Sequence, residues 1–200
     1  MKFFFKTLTF LIILSILASC QNKDYTSKVD ILLTDAPANF DKVVLDIKDV
    51  SLDMKGSQPL EGTALDHIYV GHYDLLKLRN GKDTLLAQFQ VMSEELKKVY
   101  LVLGDNNYVL KDGVRHELKM PNQVEWEIPL SIDKELKSGK EYKILLDFNA
   151  DLSILKDAES GEYYLQPVVR TAILAESGSI KGKVNADNTE NISIYATSEK

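Results

Sequence analysis

From Lys28 onward, apolar and polar residues alternate with a period of two. That is the pattern of strands with one buried and one wet face. Lys42 to Met54 shows it best. Val43, Leu45 and Ile47 share one face, and Val50, Leu52 and Met54 continue it after a slip of one residue. Such a slip marks a β-bulge, here near Lys48-Asp49. Asp46, Lys48, Ser51 and Asp53 are then expected to face water. One wet face also implies an antiparallel sheet. Further strands are expected at Val29–Thr34, His67–Val70, Thr84–Val91, Lys97–Leu103, Tyr108–Leu110, Val114–Met120, Val124–Ile128, Tyr142–Phe148 and Tyr163–Leu174.

Turn residues separate these runs: Asp35-Ala36-Pro37, Gly104-Asp105-Asn106-Asn107, Lys111-Asp112-Gly113 and Ser138-Gly139. Lys111-Asp112-Gly113 predicts a hairpin. Pro167 demotes part of the last run to an edge strand or a bulge. Tyr142, just after Gly139-Lys140, suggests the tyrosine corner of Greek-key sandwiches. Helix is scarce: Ser93 with Glu94-Glu95, and Ile132–Lys137 ahead of Gly139, predict one or two short turns. Roughly eight to ten short strands at regular spacing mean a β-sandwich or a barrel. The expected fold over residues 29–176 is an all-β, antiparallel β-sandwich, immunoglobulin-like or Greek-key. Residues 177–200 repeat the strand pattern at Ser179–Val184 and Ile192–Ala196 around the turn Asn185–Asn188. A two-stranded hairpin is marginal alone, so this segment reads as the start of a second, truncated β domain.

The amino-terminal segment is of another kind. Lys2 and Lys6 give a positive start, and Leu8 to Ala18 is an almost unbroken apolar run. A membrane-spanning helix needs about twenty such residues, so the shorter run reads as a secretory signal. It ends at Leu17-Ala18-Ser19-Cys20, which resembles the lipobox of bacterial lipoprotein precursors. Leu17, Ala18 and Ser19 would enter a signal peptidase, and Cys20 would carry the lipid. Residues 1–19 are then the signal peptide and residues 20–28 a lipidated tether, with the polar stretch beginning at Gln21-Asn22-Lys23-Asp24. By the same resemblance Cys20 carries a diacylglycerol and an N-acyl group, because one acyl chain anchors only marginally.

Composition narrows the function classes. The 200 residues carry 24 basic and 30 acidic side chains, a net charge of −6. That leaves no electrostatic case for nucleic acid. Loss of residues 1–19 removes Lys2 and Lys6 and no acid, leaving 22 basic and 30 acidic side chains, a net of −8. One cysteine excludes an intrachain disulfide framework and a four-thiolate zinc site.

Five segments occur in order: Leu32-Leu33-Thr34-Asp35-Ala36-Pro37, Val43 to Leu52, Tyr73-Asp74-Leu75-Leu76, Leu145 to Ile154 with its Asp147-Phe148-Asn149-Ala150, and Leu165-Gln166-Pro167-Val168-Val169-Arg170. Together they resemble the bacterial lipoprotein family called domain of unknown function 4382, over about Lys28 to Ala175. The family pattern prefers a second aspartate where Asn149 stands, and a glycine-containing loop where this chain has Val124 to Leu130. The resemblance implies class and location only, since the family has no agreed activity. It also implies that a further β domain often follows, which suits the tail.

Several residues are candidates for chemistry. Asp147, Asn149 and Asp151 lie two apart and so project from one face of a strand, or wrap a calcium ion in a loop. Asp35 and Asp74 would add oxygens if their loops gather at the same end. Leu152 and Ala158 replace the glycine and glutamate of a regular calcium loop. The competing reading is that these groups cap turns by accepting backbone N–H bonds. His67 and His72 fall on opposite faces of a regular strand unless Gly71 kinks it, and His116 is distant. Ser153 and Ser179 lack a nucleophile-elbow context. A carboxylate pair for a hydrolase is an open alternative. Trp126 is either a stacking platform for sugars or a core residue. Asp83-Thr84-Leu85 resembles an O-glycosylation site at Thr84. The leading expectation is a lipid-anchored, non-enzymatic binding, adhesion or assembly module of the cell envelope. It would lie at the outer membrane, facing periplasm or cell surface, with a glycan or envelope protein as partner. A calcium-dependent carbohydrate- or protein-binding module is the alternative.

Overall fold

The computed structural model describes residues 26–55, 67–120 and 126–174. The signal and lipobox residues, most of the tether, Val124 and the tail lie outside the described residues. Thirteen strands form two sheets that bury one shared apolar cluster. The all-β sandwich expected from the alternation is what forms.

The first sheet is built on β1 (Thr26–Asp35). It takes in Thr26–Lys28, which the sequence pattern had placed in the tether. On one edge β1 pairs antiparallel with β5 (Thr84–Met92), and β5 pairs with the two-residue β3 (His67–Ile68). On its other edge β1 pairs with β10 (Glu141–Phe148) in parallel over eight residue pairs, Lys28↔Glu141 to Asp35↔Phe148. β10 pairs antiparallel with β13 (Val169–Ile173). Parallel neighbours need a long crossover, and here most of the domain supplies it. The antiparallel expectation holds for the remaining pairs of this sheet.

The second sheet is built on β2 (Lys42–Met54). It pairs with β4 (Gly71–Asp74), β6 (Glu95–Leu103) and β7 (Tyr108–Lys111), all antiparallel. β9 (Glu127–Glu135) flanks β6, and β8 (Val114–Lys119) flanks β7. β12 (Tyr163–Leu165) joins β8 in parallel, with β11 (Ile154–Lys156) outermost. The expected bulge is present: the β2–β6 register shifts between Ile47 and Asp49. Pro167 splits its run into β12 and β13, as its missing N–H requires.

Three local expectations fail. Ile132–Lys137 is not helical: β9 runs to Glu135, because pairing with β6 outweighs the local stop signal at Gly139. Ser93-Glu94 is a tight bend between β5 and β6, where Glu94 N–H donates to Met92 O. The two helical turns form elsewhere, as a 3₁₀ turn at Leu75–Leu78 and as α1 (Ala150–Ser153). His67 and His72 do not share a strand. The chain leaves β3 in the first sheet and enters β4 in the second through Gly71, whose φ of 145° suits only glycine.

The core row of β1 reads Ser27, Val29, Ile31, Leu33, Asp35, all buried. Beside it in the same sheet lie Ile144, Leu146 and Phe148 of β10, and Val43, Leu45 and Ile47 of β2 join the same buried cluster from the other sheet. Tyr142 closes the tether end of the core, and its hydroxyl accepts from Lys137 N–H at 2.8 Å. That is the geometry of a tyrosine corner.

Asp46 departs most from expectation. It is 1% exposed, where the alternation put it in water. β6 ends and β7 begins opposite it, so the loop Gly104–Asn107 replaces a strand there. Gly104 N–H donates to Asp46 O at 2.7 Å, and Asp46 N–H donates to the Asn107 side chain at 2.9 Å. Asn107 is fully buried and also donates to Gly104 O. A Cβ on Gly104 would collide with the Asp46 carboxylate and the end of the Lys48 side chain, so any other residue there has to displace that ion pair. Asn107→Ala leaves two buried backbone groups without partners, each costing about 1–3 kcal/mol. The variant is expected to lose about 2–4 kcal/mol in urea unfolding, while exposed Asp105→Ala stays within about 0.5 kcal/mol.

Candidate functional site

The segments Thr34–Pro37, Asp147–Ala150 and Pro167–Arg170 converge at the end of β1 away from Thr26. Ala36 N–H donates to Phe148 O at 3.2 Å, and Asn149 N–H donates to Val168 O at 2.9 Å. Ala150 N–H, at the start of α1, donates to Asp35 Oδ1 at 3.2 Å. Asn149 caps α1 by accepting from Leu152 N–H at 3.0 Å. Ser153 Oγ donates to Asn149 O and accepts from Val168 N–H. The Asp147 carboxylate pairs with Arg170 at 2.6 Å.

Of the oxygens expected for calcium, Asp35 Oδ1 and Asn149 Oδ1 accept from backbone amides and Asp147 pairs with Arg170, while Asp35 Oδ2 and Asp74 Oδ1 are buried without a hydrogen-bond partner. Asp151 stands exposed, and Asp74 lies 3.8 Å from Lys77. Among the described residues, no group of three or more His, Cys, Asp or Glu is placed to hold a metal ion. The arrangement is that of turn and helix caps.

Asp35 is the unusual acid here. It is 5% exposed, and its Oδ2 is buried without a hydrogen-bond partner. Burial pushes its carboxyl up to about 6, and the nearby Asp147 charge adds to the rise. The amides of Ala150 and Ala36 and the Arg79 charge oppose it. A proton donor near neutrality suits general-acid work, but the free oxygen does not reach solvent and Asp147 is occupied by Arg170.

Asp46 behaves in the opposite way. Burial raises its carboxyl, but hydrogen bonds from Lys48 and Asn106 outweigh burial and hold it below the usual range. Lys48 Nζ is 3.2 Å from Oδ2, and His72 Nε2 is 3.8 Å from Oδ1. The sequence offered no sign of this cluster, since nothing in Gly104-Asp105-Asn106-Asn107 marks one asparagine as buried.

Beside His72 a cleft of about 320 Å³ opens over β2, β4 and β7. Val44, directly opposite Asp74 on one side and Tyr108 on the other, forms its floor. Lys42, His72, Tyr73, Lys77, Thr84 and Tyr108 stand around it. Thr84, the proposed glycosylation residue, is half-buried at the start of β5 and lines this cleft. Tyr73 Oη donates to Tyr69 O at 2.6 Å, and Arg115 stacks 3.8 Å from the centre of the Tyr108 ring. Trp126 is half-buried against the core, with its carbonyl accepting from Leu103 N–H, rather than standing clear as a platform. His116 stacks on Tyr163 at 4.7 Å. Cys20, Leu17, Ala18 and Ser19 lie outside the described residues.

The raised carboxyl has a measurable consequence. The folded chain keeps a proton on Asp35 that the unfolded chain releases between about pH 4 and pH 6. Its contribution to stability therefore falls as pH rises through that window and is level above it. Relative to Asp35→Asn, which cannot titrate, the native protein is expected to lose up to about 3 kcal/mol between pH 4 and pH 7. Urea midpoints across that range check this, and parallel curves would refute the assignment.

Comparison with curated proteins and with solved structures returns no significant match. A family model does match, described as a domain of unknown function (DUF4382), over residues 26–167. That span runs from the first residue of β1 to Pro167, ahead of β13, and contains the first two converging segments whole and the first residue of the third. The chain belongs to the DUF4382 family.

Proposed function

We propose that this protein is a lipid-anchored component of a bacterial cell envelope, held at the outer membrane through an acylated Cys20. It serves there as a non-enzymatic binding, adhesion or assembly module. The observation that carries this reading is the sequence Leu17-Ala18-Ser19-Cys20 closing an apolar run, with a folded strand starting at Thr26.

Geometry supports the same reading. With β1 beginning at Thr26, the tether shortens to Gln21–Tyr25, at most about 18 Å of extended chain. The Thr26 end of the sandwich then sits against the lipid. β1 is ten residues long, so the converging loops stand about 30 Å farther out. A glycan or an envelope protein would meet that outer end. Asp35 Oδ1, Asn149 and Asp147 support the fold there, by accepting from backbone amides or pairing with Arg170.

Wild-type protein is expected to carry an acylated amino terminus at Cys20 by mass spectrometry and to partition into detergent. Cys20→Ser is expected to partition into the aqueous phase with an unchanged thermal midpoint. Detergent partitioning that survives Cys20→Ser would sink the reading.

A further inference from the structure

We propose that the cleft over Val44 binds a saccharide bearing one anionic group, a carboxylate or a sulfate. This deepens the binding-module reading above and rests on it.

A second cleft, about 310 Å³, lies at the Thr26 end around Thr26, Lys28, Gln90, Lys140 and Glu141. Lys28 is paired there with Glu141 at 2.7 Å and Asp30 at 3.4 Å, and Gln90 donates to Thr26, while Lys140 has no ion-pair partner among the described residues. A third, about 560 Å³, is edged by Lys55, Glu95, Asp133 and Glu135. Lys55 pairs with Glu95 there, and Lys97 bridges Glu95 and Asp133. In both, acids stand beside the lysines that line or flank the cleft.

The cleft over Val44 joins an unpaired lysine to free hydroxyls and aromatic rings. Among the described residues, the Lys42 ammonium and the hydroxyls of Thr84 and Tyr108 have no hydrogen-bond or ion-pair partner. Lys77 is offset by Asp74 at 3.8 Å, and the Asp46 charge by Lys48. Lys42 is thus the uncompensated charge of the cleft, on a chain whose net charge is −6. His72 is half-exposed at the rim.

These groups match the faces of a sugar. Tyr73 and Tyr108 supply aromatic surface for C–H groups, above the buried Val44. Thr84, Tyr108 and His72 supply hydrogen bonds for ring hydroxyls, and Lys42 supplies the counter-charge for one anion. The volume sits at the low end for ligand sites, which suits a single ring at a chain end and excludes a large cofactor. The cleft lies at the end of the sandwich away from the tether, where extracellular saccharide is within reach.

Full-length protein in detergent micelles is titrated with oligogalacturonate, sulfated dextran, neutral dextran and polyglutamate. At least one of the two anionic saccharides is expected to bind, while dextran and polyglutamate do not. Lys42→Gln and Thr84→Val, both conservative at half-buried surface positions, are expected to weaken binding, Lys42→Gln by about tenfold, as loss of one charged contact implies. Lys140→Ala, at the other end, should leave it within about twofold. Failure of both anionic saccharides, equal binding of dextran or polyglutamate, or an equal effect of Lys140→Ala overturns the proposal. Cys20→Ser separates the two readings. Retained saccharide binding with lost detergent partitioning supports both, and absent binding with normal partitioning removes the cleft assignment alone.

Discussion

A buried backbone amide must find a hydrogen-bond partner, and this requirement governs the whole sandwich. β1 and β2 lie in the middle of their sheets, with core side chains packed on them along their length. β1 meets it with full ladders on both edges, parallel to β10 and antiparallel to β5. β2 meets it with three partners in succession. Where a strand stops short of an amide, a side chain completes the ladder. Asn107 does so for the buried amide of Asp46 and Asp35 for that of Ala150, while Tyr142 and Ser153 take up the part-buried amides of Lys137 and Val168.

The same requirement places the polar residues of the converging segments. Asp35, Asp147 and Asn149 stand at the ends of β1 and β10, where strand pairing runs out and α1 begins. One oxygen of each is directed at a particular amide or at Arg170. The cost of burying Asp35 is visible in its raised carboxyl, with Oδ2 left unpaired. Asp46 bears a comparable burial but keeps its charge, because Lys48 and Asn106 reach it. Two buried aspartates thus titrate in opposite directions for reasons visible in their neighbours.

The same accounting separates surface features that serve the fold from those left free. At the Thr26 end, Lys28 is held by Glu141 and Asp30, and Lys97 by Glu95 and Asp133. Around Val44, the Lys42 ammonium and the hydroxyls of Thr84 and Tyr108 have no such partners among the described residues.

Periodicity along the chain was enough to specify most of the strands, though not β4 or β11, together with the bulge at Lys48-Asp49, the Lys111–Gly113 hairpin and the break at Pro167. These depend on side-chain alternation and on local backbone chemistry, which each residue carries with it. The family was legible for the same reason, from short segments whose polar residues sit at strand ends. The parallel pairing of β1 with β10, the burial of Asp46, the strand at Ile132–Glu135 and the cleft over Val44 were settled only by tertiary structure. Each depends on which remote segment lies alongside, and alternation says which face of a strand is wet without naming its neighbour.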